Sequence, residues 1–178
     1  AAVAGYQVWG WYKNEQATKA ADLYATLYKH ARSGDLKQVR ETAATLLERY
    51  PSTGIASLGA LVAARASFEA ADLAAAKQNL QWVIDRSRDE DFQALARFRL
   101  AGILLDEKQY DAALKLLDAK PETPMINLYS DLRGDVLVAK GSIAEARAAY
   151  QTALEKTDAK SPYRSLIQLK IDSLGQPK

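Results

Sequence analysis

Apolar residues return every three or four positions along most of this chain, and short polar breaks separate the stretches that carry this period. The first such stretch predicts a helix over 13–32, with Ala17, Ala20, Ala21, Leu23, Tyr24, Leu27, Tyr28 and Ala31 at helical spacing. It stops at Ser33-Gly34-Asp35, where Gly34 is free to take the left-handed conformation that ends a helix. A return helix over 36–50 buries Val39, Ala43, Leu46 and Leu47 and ends before Pro51, because the residue ahead of a proline is pushed out of helical geometry. The same cycle predicts helices over 55–70 and 73–86, then 92–107 and 111–119, then 125–140 and 143–156. Ser52 or Thr53 caps the third helix, and Thr123 with Pro124 restarts the chain after residues 120–122. Asp89, Glu90 and Asp91 place three acids at the positive end of the fifth helix. Ser161 and Pro162 open a last helix carrying Leu166, Ile167, Leu169, Ile171 and Leu174, placed to cover the apolar side of the final hairpin.

The turns fall at Gly34, Ala71, Lys108 and Gly141, spaced 37, 37 and 33 residues apart. Self-similarity at such a period marks a helical-hairpin repeat. Five residues after each turn come Val39, Ala76, Ala113 and Ala146, and nine after come Ala43, Leu80, Leu117 and Tyr150. Twelve after come Leu46, Val83, Lys120 and Ala153. With Gly134, Ala146, Tyr150 and Ala153, the fourth unit resembles the tetratricopeptide repeat, and the first three are degenerate versions of it. The expected fold is all-α, a tetratricopeptide-like solenoid of about four hairpins plus a C-terminal capping helix over 13–178. Gly141 and Ala146 are expected to be where helix packing leaves no room for a larger side chain.

Composition narrows the function. The 178 residues hold 24 Lys and Arg against 22 Asp and Glu, a balance without the concentrated basic face that nucleic acid requires. There is no cysteine, which removes disulfides and thiolate metal sites and suits an exported protein. The opening AAVAGYQVWGWY is apolar, crowds Tyr6, Trp9, Trp11 and Tyr12 at its end, and is followed at once by polar residues. Aromatics next to polar residues mark the interfacial end of a membrane helix, and a chain starting at Ala1 rather than Met reads as part of a longer one. Residues 1–12 are therefore expected to end an N-terminal membrane anchor. An amphipathic docking helix and a packed N-terminal turn are the other readings.

Little catalytic chemistry is visible. The single histidine, His30, lies at the end of the first helix, where an imidazolium favours the helix dipole, and it has no ligand set around it. Glycine-rich phosphate loops, nucleophile elbows and His-Glu-x-x-His motifs are absent from the sequence. Asp131 and Asp135 share a helix face one turn apart and read as surface charge or partner contact. The expectation is no enzyme, no cofactor and no metal.

A binding surface follows from position. The first helix of each stacked hairpin lines the concave side. The partner-binding candidates there are Tyr24, Tyr28 and Arg32; then Leu61, Arg65 and Phe68; then Phe98 and Leu105; then Asp131 and Asp135. Such an apolar, aromatic groove fits an amphipathic helix or a hydrophobic segment of another polypeptide. Many of these side chains are equally readable as core between repeats.

The run NLQWVIDRSRDEDFQALARFRLAGILLDEKQYDAALKLLD, followed by LRGDVLVAKGSIAEARAAYQTAL, resembles the YfgM-like ancillary subunits of the bacterial SecYEG translocon. The resemblance covers essentially the whole chain and rests most on Trp82-Val83, the stretch 90–117, Gly134-Asp135 and Gly141. It implies an inner-membrane protein with one N-terminal span and a periplasmic tetratricopeptide-like domain. The implied partners are the translocon and periplasmic chaperones, in aid of newly exported chains. That family is built on a scaffold, so the resemblance carries no active site. The alternative is a periplasmic tetratricopeptide adaptor in cell-envelope assembly, and an upstream signal peptide would favour it over an uncleaved span.

Overall fold

The computed structural model describes residues 2–119 and 125–175, with side chains throughout except at 2–10, 12 and 13. The described residues form nine helices and no strand: α1 Ala2–Ser33, α2 Leu36–Arg49, α3 Gly54–Glu69, α4 Leu73–Arg86, α5 Glu90–Asp106, α6 Tyr110–Leu117, α7 Ile126–Lys140, α8 Ile143–Lys156 and α9 Tyr163–Ser173. Eight of these starts fall within two residues of the sequence expectation. The exception is α1, which begins at Ala2 rather than at 13. Gly5 and Gly10 weaken that segment by only about 1 kcal/mol each relative to Ala, and no proline interrupts it. The capping roles expected for Thr123 and Pro124 lie outside the described residues.

One turn design is used four times. Gly34, Ala71, Lys108 and Gly141 all have positive φ, between 59° and 87°. In each case the amide of the following residue donates back to the carbonyl five positions earlier: Asp35 to His30, Asp72 to Ser67, Gln109 to Leu104 and Ser142 to Leu137. The left-handed residue itself donates three positions back, which completes a Schellman closure and satisfies carbonyls that a helix end leaves bare. The residue after each turn then occupies the N-cap of the return helix. The Asp35 carboxylate accepts from the amide of Gln38 at 3.1 Å and the Asp72 carboxylate from that of Ala75 at 3.2 Å. Gln109 and Ser142 make no such side-chain bond. Elsewhere Thr53 caps α3 through the amide of Ala56, and Asp89 caps α5 through the amides of Asp91 and Phe92.

Burial follows the repeat register. Val39, Ala76, Ala113 and Ala146 are completely buried, and Ala43, Leu80, Leu117 and Tyr150 nearly so. These positions point from each return helix into its own hairpin, so a small residue there sets how closely two helices approach. The close approach is at Gly134, where an added Cβ would run into the ring of Tyr150, and at Gly59, where it would meet Leu46. Gly141 is different: a Cβ there meets nothing, and its constraint is its φ of 87°. The expectation that bulk is excluded at Gly141 is thus corrected, because what the position refuses is an L side chain in a left-handed turn.

The chain folds as two compact units, Ala1–Ala96 and Arg97–Lys178, with the boundary inside α5. In the first unit α1 packs on α2 and α3, α2 also on α3, and α3 on α4. Its core gathers Ala20, Leu27, Val39, Ala43, Leu46, Ala56, Ala63 and Ala66. In the second unit α7 packs on α6 and α8, and α9 closes over α8. Ile167 and Ile171 of α9 join Leu137, Ala146, Ala149, Tyr150 and Ala153 in one cluster, so α9 covers the last hairpin as expected. Leu166 and Leu169, on the other side of α9, are exposed and take no part in that cover.

Candidate protein-interaction site

The first unit presents a face built by α1 and α3. Tyr24 and Tyr28, one turn apart on α1, stack with ring centroids 6.3 Å apart, and Arg32 continues the same line in solvent. On α3, Leu58, Leu61, Arg65 and Phe68 recur at three- and four-residue steps and share one side of the helix. Tyr28 is 49% exposed and Phe68 48%, values high for large aromatic side chains. Arg65 stands close enough to Tyr28 to feel its hydroxyl, and its pKa is raised chiefly by its hydrogen bond to Glu69 at 2.7 Å. Leu61 was expected on this face, but it is buried, at 6%, beneath its neighbours. The geometry therefore brings together Tyr24, Tyr28, Arg65 and Phe68 and takes Leu61 into the interior.

The second unit uses its candidates differently. Phe98 is half-buried and stacks on buried Tyr129 with centroids 6.2 Å apart, and Leu105 is half-buried beside the Lys108 turn. Asp131 and Asp135 do not stand free as surface charge. The ammonium of Lys170 on α9 lies within 3.0 Å of both oxygens of Asp131 and within 2.8 Å of both oxygens of Asp135. Tyr163 donates its hydroxyl to Asp131 at 2.5 Å, and Tyr150 donates to Asp135 at 2.7 Å. Lys170 also sits 5.5 Å from the centroid of the Tyr150 ring. Asp131 is 5% exposed, so its reading as a surface or partner contact is corrected: α9 covers it, and a buried carboxylate requires a partner close by.

The electrostatics agree with a structural clasp. Burial lowers the Lys170 pKa, yet its bonds to Asp131 and Asp135 outweigh that and leave it raised. Burial pushes Tyr150 and Tyr163 well above the usual phenol range, and their bonds to Asp135 and Asp131 push further in the same direction. Burial likewise raises Tyr129, to about 12. Every acceptor in the cluster is occupied from inside the unit, which suits cohesion better than acid–base chemistry. Among the described residues no three acidic or histidine side chains form a group able to hold a metal ion. Lys170 and Tyr163 were not singled out from the sequence, and Tyr150 only as a repeat position, although Tyr163 and Lys170 lie seven residues apart and so share a face of α9.

Serial helical hairpins with left-handed turns, small residues at the crossings and an exposed aromatic face define a tetratricopeptide-like interaction domain. The chain matches the family of tetratricopeptide repeat-like domains over residues 1–176. It is 34% identical over 177 residues to an ancillary SecYEG translocon subunit of Neisseria gonorrhoeae, covering 97% of this chain and 85% of that protein. A protein of the same name from Escherichia coli is 27% identical over 174 residues, covering 98% and 83%. Another from Aggregatibacter actinomycetemcomitans is 27% identical over 173 residues, covering 97% and 83%. No solved structure matches. The chain belongs to the tetratricopeptide repeat-like family that includes the ancillary SecYEG translocon subunits.

Proposed function

We propose that this protein is a protein-interaction scaffold associated with the SecYEG translocon, binding polypeptide segments to assist newly exported chains, and that it does so without catalysing a reaction. The observation that carries this reading is the α1–α3 face, where Phe68 and Tyr28, the latter stacked on Tyr24, stand half in solvent beside Arg65. Exposed aromatics flanked by arginine are the side chains that contribute most to protein interfaces. Family membership supports the association with the translocon, since the relatives carry that name. A periplasmic chaperone as second partner follows the same reading.

The location belongs to the same proposal: an inner-membrane protein with its hairpins in the periplasm, the segment 1–12 being the end of a single N-terminal anchor. Among the described residues no helix is long and apolar enough to cross a membrane. Support for the anchor comes from the apolar run of residues 1–12, with its aromatics next to Lys13, Asn14 and Glu15.

The test is photocrosslinking in native membranes from positions 28 and 68, with partners identified by mass spectrometry. Translocon components should be captured from both positions. Combining Tyr28→Ser with Phe68→Asp should lower their recovery about tenfold while leaving helicity unchanged. Equal recovery by the double variant would move the site off this face. Phe98 is a poor probe of binding, because its stack on Tyr129 makes its replacement a packing change.

A further inference from the structure

Ser57, one turn into α3, is 3% exposed, and its hydroxyl bonds no other group among the described residues. The Ser67 oxygen is sealed in the interior without a partner, whereas that of Ser57 keeps a small area on the wall of a pocket of about 260 Å³. A buried hydroxyl that bonds nothing costs stability, so its presence asks for a reason. Pro51, Ser52, Thr53 and Gly54 form one side of this pocket, and the segment from Arg86 to Asp89, where α4 ends, forms the other.

Both sides supply donors. The amides of Gly54 and Ile55 precede any carbonyl of their own helix that could accept from them, while the amide of Ala56 is taken by the Thr53 hydroxyl. Thr53 is a neutral cap and the first turn of α3 carries no acid, so its positive end is not offset as that of α5 is by Glu90 and Asp91. Arg86 and Arg88 line the opposite side, and neither has an ion pair among the described residues. The acid on the lining, Asp89, commits one carboxylate oxygen to the amides of Asp91 and Phe92. The pocket thus holds two cations against one acid. The surface around it is not basic: Asp85, Glu90 and Asp91 are exposed, and Glu48 offsets Arg49. An extended polyanion is repelled by such a surround, which leaves a single small anion as the occupant.

We propose that the pocket between the start of α3 and the end of α4 binds a phosphate group, held by the Gly54 and Ile55 amides, the Ser57 hydroxyl, Arg86 and Arg88. Helix starts and arginine forks are the two donor sets that suit phosphate oxygens best. A carboxylate is satisfied by one arginine and leaves the opposite wall unanswered, whereas a phosphate has oxygens for both sides. The Ser57 hydroxyl then gains the acceptor it lacks. Successive helices of the first unit are joined by short turns and run antiparallel, so α1 and α3 start, and α2 and α4 end, at the same end of the unit. Residues 1–12 enter at that end, and with the anchor proposed above the phosphate at hand there is a lipid headgroup. That source rests on the anchor; the binding of phosphate does not.

The test is amide NMR of the whole chain at constant ionic strength, titrated with inorganic phosphate and with glycerophosphoglycerol, the soluble headgroup of phosphatidylglycerol. The Gly54 and Ile55 signals should shift and saturate. Ser57→Ala should weaken binding about fivefold without lowering the melting temperature, since its hydroxyl bonds nothing in the free protein. Arg86→Gln with Arg88→Gln, both at exposed positions, should weaken it about tenfold. Tighter binding of glycerophosphoglycerol than of phosphate assigns a lipid source and the reverse a soluble one, and either supports the proposal. Tyr28→Ser with Phe68→Asp should leave the titration unchanged, which separates this pocket from the translocon-binding face. No saturable shift with either probe, equal shifts with acetate, or affinity untouched by the arginine replacements would overturn the proposal.

Discussion

At Gly134 the distance between two helices is set by one missing methyl group. The Tyr150 ring lies where a Cβ would go, and its hydroxyl is bonded to Asp135, so the ring has nowhere to swing. Gly134→Ala should cost about 2–3 kcal/mol, read as a lower melting temperature of the second unit. The left-handed turns give the opposite sign. Ala71 and Lys108 hold φ values of 60° and 59° that L residues adopt at a penalty of about 1 kcal/mol. Ala71→Gly and Lys108→Gly should each add about 0.5 kcal/mol in chemical denaturation, the relief exceeding the entropy that glycine gives the unfolded chain. Both non-glycine positions were legible as turns because the period pointed to them, although neither residue is a turn former.

At the scale of the helix, the repeated closures explain why α4 and α8 could be read to the residue while α1 could not. A helix with a left-handed turn before it and a cap position at its start has its first residue written in the sequence. The segment ahead of Lys13 has no breaker and no period, so its continuity with α1 depends on propensity alone. The return helices also differ in how well they begin. Asp35 and Asp72 each accept an amide of their own first turn, and Gln109, in the same place, does not. Gln109→Asp should stabilise α6 by about 1 kcal/mol, measurable as slower amide exchange in that helix.

At the scale of the folded units, the charged clasp gives the second one a pH signature. Lys170, Tyr129, Tyr150 and Tyr163 all have folded pKa values above their unfolded ones. Each group's contribution is complete below its unfolded pKa, near 10, and is lost as pH rises through the raised folded value, because the unfolded chain releases its proton first. Stability should therefore hold to about pH 9 and fall above about pH 10. Tyr163→Phe should remove up to about 1.4 kcal/mol per pH unit of that slope, checked by denaturant titration between those limits. The clasp was not legible beforehand because its members lie up to 39 residues apart and meet only once α9 has docked. The sequence showed two acids on α7, and a lone acidic pair reads as surface charge until its cation is found.

That clasp bears on how the protein is destroyed. A protease cutting the connection between α8 and α9 removes Lys170 and Tyr163 together and leaves Asp131 and Asp135 facing each other with no cation. With α9 gone the two carboxylates stand in water as an unneutralised pair, and the last hairpin loses the cover of Ile167 and Ile171, a large share of what holds a small domain folded. Trimming at that one loop should therefore run to completion, so that cells hold either the intact molecule or its fragments and few nicked intermediates.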